Sequence, residues 1–92
     1  MIAKSLILFD VKPWEEETSL DDLFKKITTE IQMDGLQWKE EYKKEKVAYT
    51  IFKLVIGCVI EDAKVSTDDL VEKIEAFEDE VQSVDIAVFS KI

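Results

Sequence analysis

Apolar residues recur along this chain with two different periods, and each change of period marks a new element. From Ser5 to Val11, the set Ser5, Ile7, Phe9 and Val11 alternates with Leu6 and Leu8. Both faces of this run are largely apolar, as in a strand at the middle of a sheet. Pro13 ends it, because proline has no N–H to donate to a ladder, and Trp14 reads as a packing residue that closes one end of the core. The period then becomes helical. Leu20, Leu23, Phe24, Ile27 and Ile31 fall at i, i+3, i+4, i+7 and i+11, which is one stripe of an α-helix. Asp34-Gly35 predicts its end, since glycine takes a left-handed conformation without strain. Between Gln37 and Val47, Trp38 and Tyr42 stand among lysines and glutamates, a pattern suited to an edge strand protected by charge. Phe52, Leu54, Ile56, Cys58 and Ile60 then form an apolar face at period two. Leu70, Val71, Ile74 and Phe77 give a second helical stripe, and Val84, Ile86 and Val88 a last period-two run.

Two of these segments echo one another. Residues 19–27 and 66–74 share the pattern S-x-D-D-L-x-x-K-I, about half a chain apart. Each reads as a helix start, with a serine to accept from exposed backbone N–H groups and aspartates in the first turn. The aspartate three residues after each serine fits a looser capping box. The element order is therefore β-α-β-β-α-β, with a hairpin turning near Ala48-Tyr49-Thr50. Two βαβ halves with right-handed crossovers predict an α+β, ferredoxin-like two-layer sandwich, with a four-stranded antiparallel sheet and both helices on one face.

The chain has 92 residues, enough for one domain spanning 1–92. At 47% hydrophobic residues, with one Pro and two Gly, it suits a compact core. The single cysteine, Cys58, excludes an internal disulfide and reads as a small buried hydrophobe. The start turns polar too early for a signal peptide, and no apolar run approaches a membrane span, so a cytoplasmic location is expected. Net charge is −9, there is no histidine, and all twelve basic residues are lysines. That balance argues against direct nucleic-acid binding, which needs positive patches. It also lacks the histidine and arginine on which acid–base and phosphate chemistry usually draw. Glu61-Asp62 and Asp68-Asp69 fit no calcium-loop spacing, so neither a metal nor a cofactor is expected.

Several blocks carry a resemblance. They are Val11-Lys12-Pro13-Trp14, Asp34-Gly35-Leu36, Trp38, Cys58-Val59-Ile60-Glu61-Asp62, Lys64-Val65, Phe77-Glu78-Asp79, Val81-Gln82-Ser83 and Asp85-Ile86-Ala87. In this order, and over nearly the whole chain, they resemble the C-terminal guanine-nucleotide-exchange domain of the eukaryotic translation elongation factor 1 beta and delta subunits. The resemblance implies the same fold and an exchange factor that makes no covalent bond, so not an enzyme in the usual sense. It would promote GDP release from the GTPase elongation factor 1-alpha. It implies that Lys91 enters the partner's nucleotide site near the magnesium ion, a role that suits a compact charge on a long apolar stem. Phe89 would anchor the last strand and, with Ser90 and Ile92, touch the partner, while Asp85 would orient the tail or touch the partner. In the family the hairpin tip reads glycine–aromatic–glycine–isoleucine–lysine–lysine and contacts the same partner. Here it reads Ala48-Tyr49-Thr50-Ile51-Phe52-Lys53, without either glycine, and the strand before it is one residue longer. Tyr49 is the candidate anchor at that tip. The family's domain usually follows an N-terminal region that docks other elongation factor 1 subunits, so this chain is expected to be the C-terminal part of a longer protein. Two rival readings remain open: a diverged relative that binds the GTPase without efficient exchange, and an RNA- or small-ligand-binding module on the same fold.

Overall fold

A computed structural model of the chain describes residues 3–15, 17–48 and 51–92. The elements follow in the expected order: β1 (Lys4–Pro13), α1 (Leu20–Glu30), β2 (Leu36–Ala48), β3 (Ile51–Glu61), α2 (Thr67–Glu75) and β4 (Val81–Lys91). The antiparallel sheet has the order β2-β3-β1-β4, so β1 and β3 are central and β2 and β4 are edges. This is the ferredoxin-like α+β sandwich. The molecule measures 45 × 21 × 20 Å. Its long dimension follows the strands, since a strand of thirteen residues such as β2 spans roughly 43 Å.

The core is the set that the two periods select. Ile7, Phe9 and Val11 of β1 and Leu54, Ile56, Cys58 and Ile60 of β3 are buried on the helix side of the sheet. Leu20, Leu23 and Ile27 of α1 and Leu70 and Ile74 of α2 close over them. Phe24 is half-buried and stacks on Tyr42 of β2 with ring centroids 4.0 Å apart. The Tyr42 hydroxyl donates to Asp21, which also pairs with Lys44, so the protected edge strand is tied to α1 through its own aromatic and its own charge. That hydroxyl, first, and the Lys44 ammonium hold the Asp21 carboxyl below its usual range.

Five local expectations need correction. First, α1 stops at Glu30, not at Asp34-Gly35. Ile31 is extended, with its side chain still in the core and its carbonyl accepting the Trp38 indole N–H at 2.7 Å. A side-chain donor thus satisfies a carbonyl that would otherwise be left at the helix end. Gly35 instead serves the turn into β2, at φ +88°, where a Cβ would meet Lys64 Cβ at 2.9 Å. Second, the two echoed helix starts behave differently. Ser19 Oγ accepts from the Asp22 N–H at 3.3 Å, whereas Ser66 makes no side-chain cap bond. Third, Phe52 faces the helix side but is 41% exposed, because it lies beyond the core beside the start of α1. It lines a depression of about 350 Å³ with Pro13, Leu20, Asp21 and Lys44. Fourth, Trp14 does not close the core. It is 58% exposed and held by its indole N–H, which donates to the Glu78 carbonyl at 2.8 Å.

The fifth correction bears on function. β4 does not keep one face through Val84, Ile86 and Val88. Phe9 is opposite Ile86, but the next residue back, Leu8, is opposite Val88, so Ala87 is an extra residue in the ladder. Residues directly opposite in a ladder share a face, and a bulge changes which residues those are. After Ala87, Val88 and Ser90 lie with Leu8 and Leu6 on the open face. Phe89 and Lys91 lie with Ile7 and Ser5 on the helix side.

Candidate functional site at the end of β4

Ser5 is the one polar residue in the inward row of β1, and it is fully buried. A buried hydroxyl needs a partner, and Ser5 finds it in Asp62, donating to Oδ1 at 2.7 Å. Asp62 is placed by the turn that follows β3. Its own N–H donates to the Ala3 carbonyl at 2.9 Å, and the Glu61 N–H donates to Gly35 at 2.8 Å. The Lys64 and Val65 N–H groups both return to the Glu61 carbonyl, and the Val65 side chain is buried. The second carboxylate oxygen, Oδ2, accepts from Lys91 Nζ at 3.0 Å. The Ser5 hydroxyl, first, and then the Lys91 ammonium hold the Asp62 carboxyl below the usual carboxylate range.

Lys91 is thus pinned at one side and open at the other. Its side chain is 72% exposed while that of Asp62 is 23% exposed. Phe89, two residues back on the same face, is 50% exposed, so it does not give the strand its expected anchor in the core. Ile92 is 69% exposed, with its N–H donating to the Lys4 carbonyl at 3.0 Å. An ammonium flanked by two uncovered apolar side chains can meet an anionic centre surrounded by apolar surface.

The other candidates lie elsewhere. Ser90 is exposed on the open face, opposite Leu6. Asp85 is on that face opposite Asp10, six residues and roughly 20 Å from Lys91. Its side chain is 65% exposed and its nearest cation is Lys12 at 3.9 Å, so it does not orient the tail. Tyr49 lies outside the described residues. Its described neighbours Val47, Ile51 and Phe52 are all exposed apolar side chains. Asp62 and Ser5 are the residues that sequence reasoning passed over. The available signal was a lone hydroxyl in an otherwise apolar inward row, which demands a polar partner.

Other chemistry is sparse. Burial pushes the Cys58 thiol up to about 12, which leaves it a packing residue. Among the described residues no three His, Cys, Asp or Glu side chains are grouped to hold a metal, and no helix is long and apolar enough to cross a membrane. The residues paired on the open face include no aromatic. Lys53, on this face near the hairpin end of β3, is neutralised by Asp10 at 2.9 Å and Glu45 at 3.6 Å. A sheet that stacks bases needs aromatics and free cations there.

The fold recurs far from this sequence. The C-terminal domain of the MgtC protein from Mycobacterium tuberculosis superposes with a TM-score of 0.53 over 99% of this chain and 88% of that one, at 8% identity. That likeness concerns architecture alone. Sequence goes further. Residues 6–92 match the family described as the EF-1 guanine nucleotide exchange domain, and the chain belongs to that family. Over its full length it is 58% identical to elongation factor 1-beta of Dictyostelium discoideum, covering 42% of that protein. It is 56% identical to elongation factor 1-delta of Xenopus laevis, covering 34%, and 51% identical to elongation factor 1-beta of Artemia salina, covering 44%. The chain spans less than half the length of these relatives.

Proposed function

We propose that this chain is the exchange module of a longer elongation factor 1 beta- or delta-type subunit, and that it promotes GDP release from the GTPase elongation factor 1-alpha. The observation that carries the reading is the ammonium of Lys91, exposed at the last residue of β4 between Phe89 and Ile92. In the bound GTPase, Mg²⁺ and a lysine neutralise the nucleotide phosphates. A second ammonium brought beside them competes with the ion and weakens its hold. The domain makes no covalent bond. It binds the nucleotide-free partner more tightly than the GDP-bound one, and linkage requires GDP to weaken the domain's binding by the same factor. Asp85, Ser90 and Tyr49 would add partner contacts away from the phosphate site.

Stopped-flow release of a fluorescent GDP analogue, titrated with the domain, is the direct measurement. Lys91→Ala is expected to slow release about tenfold or more, within the usual span of a coupling between two sites. Folding should change by less than about 0.5 kcal/mol, since the side chain is at the surface. Lys91→Arg should keep part of the activity, having the charge but a different shape and hydration. High magnesium should oppose exchange by the wild-type domain. Full activity in Lys91→Ala would overturn the phosphate-site mechanism. Binding without any acceleration of release would favour the non-exchanging relative instead.

A further inference from the structure

We infer that Asp62 is a positioning residue for exchange: anchored by Ser5, it holds the Lys91 ammonium in a fixed pose at the end of β4. The inference rests on the role proposed for Lys91 and adds to it the part of the chain that aims the charge.

An exposed lysine has four rotatable side-chain bonds and no reason of its own to point in one direction. Asp62 supplies one. Its carboxylate is itself held from behind, with Oδ1 taken by the buried Ser5 hydroxyl and its backbone N–H bonded to Ala3. The 2.7 Å contact is a charge-assisted O–H···O⁻ bond, the stronger kind. Oδ2 then accepts one of the three ammonium N–H donors at 3.0 Å. Two donors remain on the solvent side, where Lys91 is 72% exposed. An incoming phosphate oxygen can take those two without breaking the first bond. The arrangement parallels an outer carboxylate that orients a metal-ligating histidine, where a partner behind the acting group fixes its direction. Stability alone does not account for it, since an exposed ion pair adds little to folding. The bulge at Ala87 brings Lys91 onto the face of Ser5, and the tethered turn after β3 brings Asp62 to the same place.

The test uses the GDP-release assay with wild type, Asp62→Asn, Lys91→Ala and the double variant, with calorimetric binding to nucleotide-free elongation factor 1-alpha. Asp62→Asn keeps the shape and removes the charge. It should slow release roughly two- to fivefold, the factor that an exposed charge pair supports, and leave binding to the nucleotide-free partner unchanged. In the Lys91→Ala background the same change should do nothing further. The side-chain NMR signals of Lys91 should shift in free Asp62→Asn, reporting the lost pair directly. Ser5→Ala, which loosens the carboxylate without removing it, should slow release in the same direction and serves if Asp62→Asn folds poorly. Release at the wild-type rate or faster in Asp62→Asn, with Lys91→Ala slow, would overturn the inference and leave the proposed function standing. An equal slowing in both backgrounds would also overturn it, because Asp62 would then act by another route. Wild-type release in Lys91→Ala would remove the mechanism itself, and the positioning role with it.

Discussion

Ile74 and Asp62 show how differently single side chains were legible in this chain. Ile74 lies on an apolar stripe of helical period, and it is fully buried. Truncating it to alanine should cost about 2–5 kcal/mol, read from the shift of a denaturant midpoint, with exchange per folded molecule unchanged. An unmoved melting temperature would mean that the stripe does not pack. Asp62 carries no such pattern. A carboxylate just past a strand looks the same whether it is solvated or pinned, and only the fold brings it to Ser5 and Lys91, 57 and 29 residues away. Its titration gives a second test. Because Ser5 and then Lys91 depress the folded value, the stability Asp62 adds is present above the ordinary value of 3.8. It is lost as pH falls through the lower, folded value. Wild type and Asp62→Asn should therefore differ in melting temperature by a constant amount through neutral pH, and the gap should close in strong acid. A gap that widened in acid would contradict the depressed value.

At the scale of elements, period located β1, β3, β4 and both helices, and the mix of charge and aromatics located β2, while ends and faces depended on features that neither encodes. The end of α1 was displaced by a tertiary bond, from Trp38 to the Ile31 carbonyl. The outer half of β4 was misassigned because one extra residue inverts every side chain beyond it. That inversion can be tested by two deletions of equal length. Removing Ala87 should regularise the ladder and leave Phe89 opposite Ile7 and Lys91 opposite Ser5. Removing Ser90 should carry Lys91 into the position opposite Leu6, on the open face and away from Asp62. The expected outcome is exchange retained in the first variant and lost in the second, with similar thermal stability. Equal activities would show that the face presented by Lys91 does not matter.

For the whole molecule, fold class followed from element order alone, and family from short blocks spread along the chain. The placement of the candidate contacts could not be read in advance, because it depends on which strand ends the antiparallel sheet brings together. Lys91 lies at the end of the sheet that holds Lys4 and Glu61. The exposed Val47, Ile51 and Phe52 lie at the other, along a long dimension of 45 Å. Substitutions at well-separated sites should act independently. Lys91→Ala and Asp85→Ala, the latter at a proposed contact roughly 20 Å from Lys91, should change affinity for the GTPase by amounts that add within about 0.3–0.5 kcal/mol, measured calorimetrically. The elongated shape has a further consequence. Four hydrogen-bonded strands make a stiff bar, so two surfaces that grip its opposite tips are held at a separation the bar dictates. A partner built of parts that shift relative to one another would fit both tips in one arrangement only, and the domain would act on it as a gauge of spacing.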